Sequence, residues 1–196
     1  MFKNKFVLFF LVIAIAGILF YSLRGTEDYI ATISERRNEY AQTLANDKDS
    51  PIANLSNFTG FKYFEPNVDY RIEADYKGTA DGGQTMILMT DSTQSEIKKA
   101  GEATFLLNGE NYTVSLFDEG KIYLLPFRDL TSGKETYGGG RYINIPKEKL
   151  VGDKIEIDFN NAHNFYCAYN ESFICPIPPK ENFIQAEIKV GEKVYK

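Results

Sequence analysis

The chain has one histidine and two cysteines among 196 residues. A single histidine leaves no recognisable set of nucleophile, base and orienting group of the kind that hydrolytic sites assemble. The one glycine cluster, Gly138-Gly139-Gly140, lacks dinucleotide spacing, and no Gly-Lys-Ser/Thr follows it, so no phosphate cradle is present. His163, Cys167 and Cys175 fall as His-x3-Cys-x7-Cys, irregular beside known zinc patterns and short of a fourth ligand. No metal and no cofactor are expected. Positive charge is also scarce. Without Lys3, Lys5 and Arg24 the chain carries 19 basic against 27 acidic residues, a net of −8. That balance argues against nucleic acid and against adhesion to anionic lipid. Internal repeats and long low-complexity linkers are absent.

The N-terminus carries an unbroken apolar run from Phe6 to Tyr21, with Lys3 and Lys5 before it and Arg24 after. A positive flank before an apolar core keeps the N-terminus in the cytoplasm and sends the rest across. The run is long for a signal core and short for a full span of about 20 residues. Ala14-Ile15-Ala16 has the small-x-small form of a cleavage site, but cutting there would leave Ile18, Leu19 and Phe20 on the product. No cysteine follows the run, which excludes a lipid-modified N-terminus. Residues 1–25 are therefore expected to be an uncleaved anchor, with the C-terminal domain outside the cytoplasm; a signal segment is the alternative.

Residues 26–50 read as one amphipathic helix. Thr26 can cap it, Glu27 and Asp28 suit its N-terminal end, and Ser50-Pro51 ends it. Ile30, Ile33, Arg37, Tyr40, Ala41 and Leu44 form one stripe broken by an arginine. Such a helix either packs on the domain or stands as a stalk. From Pro51 the pattern turns to β. Tyr70–Tyr76 alternates, Asp81-Gly82-Gly83 is a turn, and Thr85–Met89 is an apolar strand. Ala103–Leu107 and Tyr112–Phe117 flank Asn108-Gly109, a strong hairpin signal. Ile122–Leu125, Tyr142–Ile145, Lys154–Phe159 and the alternating Phe183–Val190 follow, the last turning back at Gly191-Glu192. Short strands with closely spaced turns predict a mainly β domain over residues 51–196, an antiparallel sandwich or small barrel.

Pro126 to Asn182 holds the triple glycine, the histidine, both cysteines and five of the seven prolines. Residues that free or restrict the backbone, set among charged and aromatic groups, mark a built region. The glycines are either a bulge feeding the next strand or a turn that aims Arg141 at a carboxylate or phosphate, which its fork binds at two points. Arg128 and Asp129 supply the other wall, or else a local ion pair. Tyr142, Asp158, Asn160 and Glu181 complete the candidate site. Asp158 is either a turn-forming Asx residue or a base and partner for Arg141. Cys167 and Cys175 are expected to pair, because exported domains favour disulfides. The small loop so closed is worth roughly 2–3 kcal/mol. Pro176, Pro178 and Pro179 make a rigid extended wall.

The compound motif F-R-D-x-T-S-G-x-E-T-Y-x-x-G-R-Y, then D-F-N-x-A, C-A-Y and C-P-x-P-P-x-E-N, resembles the bacterial and archaeal family catalogued as domain of unknown function 1684. The resemblance also takes in Glu35, Arg36 and Arg37, the Ser50-Pro51 step and Phe58–Phe64. At His163 the family pattern more often has tyrosine. The resemblance implies no established activity. Two functions are expected from the residues themselves. One is a binding module for a small anionic ligand, walled by Arg128, Arg141, Tyr142 and the Cys-Ala-Tyr-Asn loop. The other is a small hydrolase using Asp158 or Glu181 with Arg141.

Overall fold

A computed structural model describes residues 5–53, 58, 60–79 and 83–195. Lys3 of the basic flank, and Asp81 and Gly82 of the expected turn, lie outside the described residues.

The expected anchor and amphipathic helix join into one helix, α1 (Lys5–Asn46). No proline interrupts it, and Gly25 sits in open space. Its first half is long and apolar enough to cross a membrane, with none of that stretch buried against the protein. Its second half packs on the domain, which resolves the choice between packing and stalk. Ile33 and Leu44 of the apolar stripe are buried, and Arg37 and Tyr40 are half-buried between them. Beyond the helix, Ser50 and Ile52 turn into the domain.

Among the described residues the domain is one open nine-stranded sheet. Its strands are β1 (Arg71–Gly78), β2 (Gln84–Leu88), β3 (Gln94–Leu107), β4 (Glu110–Asp118), β5 (Ile122–Asp129), β6 (Arg141–Pro146), β7 (Leu150–Val151), β8 (Lys154–Asp158) and β9 (Phe183–Ile184). The order is β6-β5-β4-β3-β1-β8-β7, with β2 beside the first half of β3 and β9 beside the end of β5. Every pairing is antiparallel except β5–β9. The sheet does not close, so the barrel expected from the strand pattern is corrected: β6 and β7 end the path unpaired with each other. Strand periodicity records which side chains face the core, but not whether the two end strands meet. The β3–β4 hairpin turns at Asn108 and Gly109, with φ of 54° and 85°, as that dipeptide predicts.

One core lies on one face of the sheet, where Phe105, Leu116, Phe127, Ile155, Ile157 and Phe159 pack with Ile184, Ile188 and Val190. Alternation delivers these side chains to a single face. A smaller cluster of Ile87, Phe117, Leu124 and Tyr142 lies apart from it. A third, of Leu44, Ile52 and Tyr169, seats the end of α1.

Three side chains replace missing ladder bonds. β4 and β5 pair only at Phe117–Leu124 and Asp118–Tyr123. Beyond that point Asn182 bridges them. Its Oδ1 accepts from Ser115 N at 2.7 Å, and its Nδ2 donates to Ser115 O at 2.9 Å and Pro126 O at 2.7 Å. The expected strand Phe183–Val190 keeps its alternating burial, but only Phe183–Ile184 pairs as a strand. Further along it, Arg141 donates to the carbonyls of Ile188 and Val190, and Asp129 accepts from Ile188 N.

Candidate functional site

Arg141, expected at the wall of a ligand site, lies in the interior at 1 % exposure. Its Nη2 donates to Asp129 Oδ2 at 3.1 Å and Ile188 O at 2.8 Å, and its Nη1 donates to Val190 O and, at 3.4 Å, to Glu192 O. Asp129 in turn accepts from Ile188 N at 2.8 Å and from Thr131 Oγ1 at 2.7 Å. The pair therefore pins the C-terminal segment along β5 and β6. Burial draws the Arg141 pKa down, and Asp129 opposes it. Gly140 explains part of the glycine cluster. It holds φ of 101°, and a Cβ there would stand 2.6 Å from Phe127 O and 2.8 Å from Pro178. The motif's density thus reflects a close-packed corner.

The other expected residues scatter around that corner. Arg128 stands beside Gly140 and Pro178. The Tyr142 ring packs on Phe165, its hydroxyl donates to Pro176 O, and its backbone bridges to His163. Glu181 is exposed on a 3-10 turn. Cys167 and Cys175 are both buried and free, so the expected disulfide is corrected. Cys175 Sγ accepts instead from Cys167 N at 3.2 Å. The hydrogen bond between the two thiols draws Cys167 down and pushes Cys175 up.

Asp158 and Asn160 lie elsewhere, on a cleft of about 420 Å³ between α1 and the sheet. Arg36, Arg37 and Tyr40 of α1 line one side. Ile143–Pro146 of β6, Glu156 and Asp158 of β8, and Asn160–His163 line the other, with Tyr63, Glu148 and Lys149 at its margins. The seam is stitched by Tyr29 Oη, which donates to Asp158 Oδ1 at 2.8 Å, and by Arg37, whose Nη1 and Nη2 donate to Phe64 O at 3.1 Å and Asn160 O at 3.4 Å. Asp158 also accepts from Asn160 N, Asn160 Nδ2 and Asn161 Nδ2. It is a fully engaged Asx hub. Asn160 fixes Asn67 through a reciprocal pair of 2.8 Å bonds.

The acids of the cleft are largely spent: Glu156 pairs with Arg71 and Lys149 at 2.6 Å each. Its arginines are not. Among the described residues neither Arg36 nor Arg37 has a carboxylate within 4.0 Å. The Arg37 guanidinium lies 4.3 Å over the Tyr63 ring. Burial lowers its pKa, and Tyr63 and Glu65 oppose that shift. Arg37 Nε, Tyr40 Oη and His163 Nε2 are closed to solvent and have no hydrogen-bond partner among the described residues.

Behind the cleft lies a carboxylate that the sequence marks only as part of a turn. Glu192 is fully buried. Its Oε1 accepts from Tyr169 Oη at 2.6 Å and Asn164 Nδ2 at 2.9 Å, and its Oε2 accepts from Asn164 N at 2.9 Å. Burial pushes its pKa up to about 7, against these donors and Arg141. No local signal marks it, since its burial comes from segments distant in sequence.

No curated protein matches the chain. A solution NMR structure of an uncharacterised protein from gene locus rrnAC0354 of Haloarcula marismortui is similar, at 31% identity and a TM-score of 0.69, over 87% of this chain and 96% of that one. The family model described as "Protein of unknown function (DUF1684)" matches residues 56–193. The resemblance carried by the Arg128–Tyr142 and Cys175–Asn182 motifs is thereby matched across the domain, and the chain belongs to the DUF1684 family.

Proposed function

We propose that this protein is an exported binding module that holds a small anionic ligand in the cleft between α1 and the β6–β8 side of the sheet. Residues 1–25 are the anchor, 26–50 carry the amphipathic part of the helix, and 51–196 form the β domain. The lysines before the apolar run keep the N-terminus cytoplasmic and put the domain outside. Arg36 lies twelve helical positions beyond Arg24, so the cleft stands about 18 Å above the membrane surface.

The observation that carries the reading is Arg37. It is a half-buried guanidinium, held by two carbonyls and a tyrosine ring, that faces a cleft and has no carboxylate partner among the described residues. Carbonyls orient such a group without cancelling its charge, and an anion completes it. Arg36 adds a second charge on the same wall. Asp158 and Asn160 belong to the site as positioning groups for the helix. The hydrolase alternative has less support: Asp158 already accepts four hydrogen bonds, and Arg141 and Glu181 do not line the cleft.

Calorimetric titration of the full chain in nanodiscs with small carboxylates and phosphate esters tests the reading. Saturable binding that weakens about tenfold in Arg36→Gln is expected, because an exposed arginine is lost without touching the packing. Equal affinity in the variant, or no binding, would overturn it.

A further inference from the structure

Three unpartnered atoms sit along the cleft seam, and they are chemically distinct. Arg37 Nε–H can only donate, and Tyr40 Oη can do either. His163 is settled by its other nitrogen. Nδ1 lies 3.0 Å from Asn164 O, and a carbonyl can only accept, so Nδ1 carries the proton. Burial lowers the pKa of the ring and keeps it neutral. Nε2 is then a bare acceptor, shut off from water, and it needs a donor.

We infer that the ligand of this cleft is a hydroxylated anion, a hydroxy carboxylate or sugar phosphate, whose charged group meets Arg36 and Arg37 while a hydroxyl donates to His163 Nε2. The inference rests on the proposed binding function and narrows its ligand class. A simple carboxylate or a phosphate dianion has no proton to give Nε2. An ammonium donor would set a third cation beside the two arginines. A hydroxyl supplies the donor without charge, and its oxygen can still accept from Tyr40. The Tyr40 and His163 rings stand 5.5 Å apart, centroid to centroid. Because Nε2 is closed in the free protein, the cleft wall shifts locally as the hydroxyl reaches it.

Matched pairs of probes test this on the full chain in nanodiscs: D-gluconate against hexanoate, and glycerol 3-phosphate against propyl phosphate. The hydroxylated member of at least one pair is expected to bind about tenfold or more tighter, the cost of leaving a buried acceptor unmet. The first pair reports a carboxylate ligand and the second a phosphate ester. The chain has a single histidine, so its imidazole ¹⁵N signals are unambiguous. The Nε2 signal should move from that of a bare ring nitrogen towards that of a hydrogen-bonded one when the hydroxylated probe binds. His163→Phe should remove the preference within the pair while anion binding persists. If both members bind equally, or the Nε2 signal stays put, the hydroxyl assignment fails and the anion site survives. If no probe binds, both fail.

Discussion

Tyr29 Oη donates to Asp158 Oδ1 at 2.8 Å, joining residues 129 positions apart. With the Arg37 bonds to Phe64 O and Asn160 O, this bond holds the helix that reads as a membrane anchor against the domain as a wall of the cleft. Tyr29→Phe deletes the donor, while Asp158 keeps its bonds from Asn160 and Asn161. A loss of about 1 kcal/mol is expected. The change should be local, seen as faster amide exchange from Tyr29 to Leu44 with the sheet unaffected. Unchanged exchange in that segment would show that the bond does not hold the helix.

Arg141→Lys should act on stability. Lysine cannot reproduce the fork that meets Asp129 and the carbonyls of Ile188 and Val190 at once. Each buried carbonyl left without its donor costs about 1–3 kcal/mol, so the denaturation midpoint should fall sharply. A variant with wild-type stability and abolished ligand binding would restore Arg141 to a ligand site.

Asn182→Ala leaves Ser115 N–H, Ser115 O and Pro126 O without their partner between β4 and β5. A loss of at least about 2 kcal/mol is expected in urea denaturation. A loss below half that would mean the splayed strands close on each other.

Glu192 gives a pH dependence with a definite sign. Its folded pKa, about 7, lies above its ordinary value of 4.5, so between the two the folded state holds more protons than the unfolded one. Its contribution is therefore fully present below about pH 4.5, falls as pH rises, and has gone above about pH 7. The size is roughly 3 kcal/mol. The melting temperature of Glu192→Gln, measured from pH 5 to 8, should lack that decline. A parallel decline in both proteins would assign it to another group.

Elements governed by neighbours in sequence were legible. Asn108-Gly109 demands positive φ at both positions, and alternation alone identifies the core face of each strand. The Asx turn at Asp158 also follows from its local residue types. What failed to show depends on distant segments. Nothing near Tyr29 names Asp158, and the Gly191-Glu192 turn is buried only because Asn164 and Tyr169 close over it. Phe183–Val190 has a strand's periodicity, but Arg141 and Asp129 occupy its backbone. The glycine cluster is compatible with a ligand approach by sequence alone, whereas Gly140 admits Phe127 and Pro178. The cleft combines residues from three regions, 36–40, 63 and 143–163, which carry parts of the family motif separately but which no sequence spacing brings together.

Amide exchange of the full chain in nanodiscs, with and without saturating D-gluconate, tests the cleft most directly. The account predicts simultaneous slowing in two segments far apart in sequence, Tyr29–Leu44 on the helix and 143–163 on the sheet side. Slowing confined to the Arg128–Tyr142 corner, or none under conditions where the probe is bound, would contradict it.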